Sequence, residues 1–213
     1  MKMRTFGPVP AGGEDLAAAV KDAVAGLGSE PKLVLLFTPA SADQAELLSH
    51  VRSVTGVPLA GATSGGIAFT ENGMTCDGAV GAVIGGDAVH ASCHPVVRIR
   101  SGIHTAVAKA LSSVTPGKLP GHAVFVLADG LACDGETLIR EIRQSIPSDW
   151  PVFGGFAGDN WQFTGTRILC NDSVFDDGAV IVYINDDHAP AVSARHGFSP
   201  VEGSREMKVT GAD

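Results

Sequence analysis

Apolar positions along the chain switch repeatedly between two spacings. Over residues 14–27 (EDLAAAVKDAVAGL), Leu16, Val20, Val24 and Leu27 recur at helical intervals, and Gly28 supplies a stop. Residues 32–38 (KLVLLFT) are instead a short continuous apolar run, which predicts a strand buried on both faces. Ser41 can cap a second helix over 42–54, with Leu47, Leu48 and Val51 turned inward. A short strand follows over 57–62 and runs into Ser64-Gly65-Gly66. Two more strands are expected over 78–84 and 88–94, joined as a hairpin by the turn Gly85-Gly86-Asp87.

The second half of the chain repeats this order. A helix is predicted over 102–114, a buried strand over 122–127 (HAVFVL), and a helix over 135–146 with Leu138, Ile139 and Ile142 on one side. A short strand over 151–156 ends in glycines. The last two strands, 178–184 and 191–196, are separated by Asn185-Asp186-Asp187. Letters recur as well as order. Val57-Pro58-Leu59-Ala60-Gly61 parallels Trp150-Pro151-Val152-Phe153-Gly154, and Asp77-Gly78-Ala79-Val80 is identical to Asp177-Gly178-Ala179-Val180. The spacing between copies drifts from about 90 to about 103 residues, as loop insertions would cause.

The chain is therefore expected to be one internally duplicated α/β (α+β) domain with a mixed sheet. Its pseudo-repeats would run from about residue 14 to 97 and from about 102 to 200. Layer rules allow an α-β-β-α sandwich or, alternatively, one continuous mixed sheet flanked by helices. The hairpin-like connections exclude an all-parallel sheet.

Composition narrows the function. The net charge of −8 disfavours nucleic acid as a partner. No run of about 18 apolar residues exists to span a membrane. Lys2 and Arg4 precede no apolar segment of a secretory signal, so a cytoplasmic location is expected. The four cysteines, Cys76, Cys93, Cys133 and Cys170, form no CxxC pair and are expected to be reduced and mostly structural.

The candidate ligand-binding residues are Thr63, Ser64, Gly65 and Gly66 in the first copy and Gly154, Gly155, Gly158, Asp159 and Asn160 in the second. Backbone N–H groups at strand ends can hold an anion or carboxylate, and glycine permits close approach. Neither turn carries a phosphate-binding fingerprint. Asp159 and Asn160 could bind a ligand amine or merely form an Asx turn. Arg98 and Arg100, if on a strand, share one face and could pair with a ligand carboxylate or line a solvated edge.

His90 and His94 on one strand lie about 13 Å apart, too far to share a metal. Haem b needs only one axial histidine, which leaves His94 and His196 as candidates, although few aromatic residues are present to wall a porphyrin. A cysteine or serine hydrolase is the enzymatic alternative. Cys133 precedes a helix start, which favours thiolate, but Asp129 and Asp134 oppose it. Ser64 lacks the first glycine of a G-x-S-x-G elbow.

The opening strand Leu33-Val34-Leu35-Leu36-Phe37, the Gly61-Ala62-Thr63-Ser64-Gly65-Gly66 segment and Phe153-Gly154-Gly155-Phe156-Ala157-Gly158-Asp159 together resemble the FIST N-terminal domain family, as do Asp177-Gly178-Ala179-Val180 and His196-Gly197-Phe198-Ser199-Pro200-Val201. The family often shows an acidic residue after the first glycine-rich turn, where this chain has Ile67. The resemblance implies a non-catalytic sensory domain of intracellular signal transduction that binds a small ligand, such as an amino acid or small carboxylate. Some members are haem-based nitric-oxide sensors, the alternative in which haem b is the cofactor; otherwise no cofactor is expected. It also implies a C-terminal FIST domain and a downstream signalling protein as partners. Residues 201–213 would then begin a linker towards that absent C-terminal domain.

Overall fold

Three runs of the chain are apolar at nearly every position, and each becomes a strand buried on both faces. The computed structural model describes residues 1–66, 68–188, 190–193 and 199. The elements fall in the order β1 (Lys2–Pro10), α1 (Gly13–Gly26), β2 (Pro31–Pro39), α2 (Gln44–Val54), β3 (Leu59–Ser64), β4 (Ala68–Thr70), β5 (Gly73–Thr75) and β6 (Gly78–Gly85). The same order then recurs as β7 (His90–Val97), α3 (Ile99–Leu111), β8 (Gly121–Asp129), α4 (Gly135–Ser145), β9 (Val152–Ala157), β10 (Ile168–Cys170), β11 (Ser173–Phe175) and β12 (Gly178–Asp186).

Two main sheets result, with strand orders β1-β6-β2-β3-β10-β11 and β7-β12-β8-β9. In both, the two strands flanking the central β6 or β12 are antiparallel to it, and the last pair, β2–β3 or β8–β9, is parallel. The hairpin β10–β11 leaves its own unit and completes the first sheet, antiparallel to β3. The hairpin β4–β5 forms a separate two-stranded sheet.

Side chains of the buried runs divide between layers by strict alternation. Along β2, Val34 and Leu36 face a core shared with α1 and α2, while Leu33 faces the space between the sheets. Along β12, Ala179, Ile181 and Tyr183 face α3 and α4, while Val180, Val182 and Ile184 face the first sheet. The three resulting cores make an α-β-β-α sandwich, and the single continuous sheet is ruled out.

Other expectations are corrected. Gly85-Gly86-Asp87 does not close a hairpin: β6 and β7 belong to different sheets, so the chain crosses between layers there. The recurring order begins at β1 and β7 rather than at residues 14 and 102. β1 carries no clear strand signal in the sequence because only Phe6 of it is buried, as suits an edge strand. Asp43, not Ser41, caps α2, accepting from Ala45 N–H and Glu46 N–H at 3.0 Å each. Arg98 and Arg100 lie on no strand; Arg98 is the N-cap of α3 and Arg100 is in its first turn. Residues 191–193 are not a strand, and the rest of the expected 191–196 strand lies outside the described residues.

Leu36 is fully buried in the α1–α2 core. Leu36→Ala is expected to cost about 2–5 kcal/mol through lost burial and a residual cavity, measured by urea denaturation.

Candidate functional site

Both parallel strand pairs deliver their carboxyl ends to one edge of the sandwich, the place where open α/β sheets commonly bind ligands. The first glycine turn leaves β3 there and the second leaves β9. They meet directly. Gly158 N–H donates to the Thr63 carbonyl at 2.9 Å. A Cβ on Gly158 would collide with the backbone of Gly65, so only glycine allows this approach. Thr63 is buried and spent on the junction: its N–H donates to the Arg167 carbonyl at 3.0 Å, and its Oγ1 accepts from Arg167 N–H at 3.1 Å.

Two cavities flank the junction and share Asp159. The smaller, about 170 Å³, is polar and includes Ser64, Gly66, Asn160 and Asp77 in its wall. The larger, about 460 Å³, has Gly65, Gly130 and Gly158 in its floor and Leu131, Phe156, Trp161 and Phe163 around it. Trp161 is 81% exposed and Phe163 67%, with their rings edge-to-face at 6.1 Å. Such exposure of two large aromatic side chains is unusual for a surface loop and leaves them free to cover a guest.

The loop that carries them is built on Asp159. Its carboxylate accepts from the backbone N–H groups of Phe163 at 3.0 Å, Thr164 at 2.7 Å and Gly165 at 3.1 Å. The bond from Gly165, followed by those from its neighbours, holds the Asp159 carboxyl below its ordinary range against the opposing effect of burial. The side chain is therefore a loop cap, with its oxygens engaged rather than offered to a ligand amine. Asn160, in left-handed conformation with φ 57°, sets its side-chain oxygen beside Gly66.

A second carboxylate, Asp129 at the end of β8, binds the surrounding segments together. It is buried and accepts from Leu131 N–H at 2.9 Å, Thr166 Oγ1 at 2.8 Å and Asp177 N–H at 3.0 Å. An aspartate closing an apolar strand run was the signal for it in the sequence. Arg100 donates to the Leu131 carbonyl at 2.8 Å and lies 3.9 Å from Asp177, so it braces the cleft rim.

Gly154 and Gly155 are not brought to the junction. They lie in mid-β9 and line a separate cavity of about 190 Å³ against α4. A further cavity of about 710 Å³ opens at the opposite end of the second sheet and is lined in part by His94. His94 is hydrogen-bonded on both ring nitrogens, Nε2 to Ser92 Oγ and Nδ1 to Ser113 Oγ, each at 2.7 Å. Burial lowers the pKa of its imidazole. With both nitrogens engaged, His94 does not fit an axial haem ligand, and His196 lies outside the described residues. No cluster of three metal-ligating side chains occurs among the described residues. Burial, then Asp129, Asp134 and Asp177, push the Cys133 thiol up to about 11, which suppresses thiolate.

Because the folded Asp159 pKa is depressed, its contribution to loop stability is complete above the unfolded value of about 3.9 and is lost as pH falls through the lower folded value. Trp161 fluorescence is expected to hold steady from neutrality to about pH 4 and to change only below it. Asp159→Asn should abolish that acid transition.

The family model of the FIST N domain matches residues 32–213. No curated protein matches the chain. Among solved structures that match is the crystal structure of a cyanuric acid hydrolase from A. caulinodans, at 11% identity and a TM-score of 0.45, covering 88% of this chain and 71% of that one. That likeness is too distant to bear on activity. No helix among the described residues is long and apolar enough to cross a membrane. With the glycine junction and the family match together, the chain belongs to the FIST N domain family, a family of sensory domains in signal transduction.

Proposed function

We propose that this chain is a non-catalytic sensory domain that binds a small ligand at the junction of its two glycine turns. The observation that carries the reading is the apolar cleft beside Gly65 and Gly158, rimmed by the exposed rings of Trp161 and Phe163. An apolar body seated in the cleft lies against these rings, and covering them removes apolar surface from water. The polar cavity across the junction, with Ser64 and Asn160 in its wall, suits a polar head group. An amino acid or small carboxylate with an apolar side chain combines both features. The recurrence of one element order and one strand order supports reading the chain as a single duplicated domain, with its site at the seam between copies.

A screen of amino acids and small carboxylates by thermal shift is expected to identify a ligand that also changes Trp161 fluorescence. Trp161→Ala should weaken binding by about tenfold or more, equivalent to about 1.4 kcal/mol. Gly158→Val should abolish binding while circular dichroism stays unchanged. Undiminished affinity in Gly158→Val would sink the junction as the site.

One observation favours a second reading, a serine hydrolase at the other end of the second sheet. Ser113 Oγ donates to the Ala110 carbonyl at 2.7 Å, which leaves it to accept from His94 Nδ1. That arrangement fixes Nε2 as the acceptor facing Ser92 Oγ, the relation of a base to its nucleophile. A fluorophosphonate probe is expected to label Ser92 under this reading, with labelling lost in Ser92→Ala and His94→Gln. An unlabelled wild-type protein would leave His94 as a satisfied core histidine.

A further inference from the structure

The two sheets share strand order and register, but among the described residues only the first has its parallel edge closed. In the first, β3 is covered by the β10–β11 hairpin, with Ala60, Gly61 and Ala62 opposite Cys170, Leu169 and Ile168. Leu169 is fully buried there in one core with Leu47 and Leu48 of α2, and Val174 packs against that core. In the second sheet, β9 stands where β3 stands, and it ends the sheet. The Val124 N–H bond to the Pro151 carbonyl, with the parallel register, turns the backbone of Val152, Gly154 and Phe156 outward along an open edge. On α4, Ile139 occupies the place that Leu48 occupies on α2. Leu48 is buried, but Ile139 is 37% exposed and borders the 190 Å³ cavity beside Gly154 and Gly155.

The missing piece exists in the chain. β4–β5 matches β10–β11 at an offset of 100 residues: Ala68↔Thr75, Phe69↔Met74 and Thr70↔Gly73 against Ile168↔Phe175, Leu169↔Val174 and Cys170↔Ser173. Both hairpins lead into their next strand through two residues, Cys76-Asp77 and Asp176-Asp177. Yet Phe69, the counterpart of buried Leu169, is 76% exposed, and Met74 is 68% exposed. Among the described residues, the side-chain hydrogen bonds that tie the hairpin to β1 gather near its turn: Thr70 Oγ1 donates to the Gly7 carbonyl at 2.7 Å, Asn72 Nδ2 donates to the same carbonyl at 3.5 Å, and Thr5 donates to Glu71. Its entry link is also different. Residues 158–167 lead into β10, whereas only residues 65–67 lead into β4. Three residues reach about 10 Å when fully drawn out, and here the link bends at Gly66, with φ +113°.

We infer that the open edge of β9 is an acceptor for the β4–β5 hairpin of a second copy of this chain. β4 adds antiparallel to β9, with Ala68 opposite Gly155, Phe69 opposite Gly154 and Thr70 opposite Phe153. Phe69 fills the cavity against Ile139. Each protomer offers both the hairpin and the edge, so the exchange is reciprocal and closes as a two-fold dimer. Strand addition to an open edge supplies main-chain hydrogen bonds, and the pocket for Phe69 supplies register.

The test uses the full chain. Light scattering after gel filtration should give a dimer mass, and Phe69→Lys and Ile139→Lys should each give a monomer with unchanged circular dichroism. In a Cys76→Ser background, Ala68→Cys with Gly155→Cys should form a disulfide-linked dimer on oxidation, because opposed residues in an antiparallel pair have Cα atoms about 4.5–5.5 Å apart; no atom crowds a side chain at Gly155. A wild-type monomer across the accessible concentration range overturns the proposal. So does a dimer that survives both lysine variants. A disulfide confined to one chain overturns the second copy as occupant and assigns the hairpin to its own β9.

Discussion

Thr63 commits its backbone N–H, its carbonyl and its hydroxyl to the other unit of the same chain. Three hydrogen bonds from one buried residue join the end of β3 to both ends of the segment 158–167. Buried backbone groups must be paired, so this residue settles how the two units meet at that edge. The sheets could slide over their shared apolar layer, which is not directional. The Thr63 bonds are directional, and they fix the glycine turns in contact. The cleft, its aromatic rim and the Asp159 cap all hang from that contact.

The layered fold was legible because β2, β8 and β12 are apolar at successive positions. A strand needs that pattern only when both of its faces are covered, so three such runs with amphipathic helices between them imply a layered fold, and the choice between two stacked sheets and one continuous sheet is made only by the strand pairing. The recurring order of elements is foreshadowed by Asp77-Gly78-Ala79-Val80 and the identical Asp177-Gly178-Ala179-Val180. Its boundaries are not. β1 is an edge strand with only Phe6 buried and carries little of the alternation that marks a strand, whereas β7 is legible as a strand over 88–94 but reads as the end of the first copy because a hairpin is expected before it. Gly85-Gly86-Asp87 has the composition of a hairpin turn, but composition does not say whether the next strand returns to the same sheet or enters the other. That choice is made by which apolar face remains to be covered.

Of the site, the residues at strand ends were visible and their grouping was not. Gly65 and Gly158 proved to touch, while Gly154 and Gly155 sit a few residues back along β9, with Gly154 on the face turned to α4 and Gly155 on the face turned to the other sheet. The glycine-rich string reads as one motif, yet successive strand residues point to opposite faces, so its members serve different neighbours. Trp161 and Phe163 give no sequence signal, because isolated aromatic residues in a loop have no periodicity to mark them. Asp129 hid for the opposite reason: its partners are the N–H groups of Leu131 and Asp177 and the hydroxyl of Thr166, drawn from three separate segments, and only the folded chain collects them.

The segment 158–167 begins and ends on the same residue, Thr63, and is held internally by Asp159. Apart from Thr166, whose hydroxyl donates to Asp129, its middle is thus anchored to itself rather than to the sandwich beneath. Residues within it can be exchanged, added or removed without changing the distance its ends must bridge. The rings of Trp161 and Phe163 belong to this replaceable segment, whereas Gly65, Gly158 and Asp129 belong to the frame. What this edge of the molecule presents to solvent can therefore change while the frame is kept, much as a grafted loop changes the surface of a rigid scaffold.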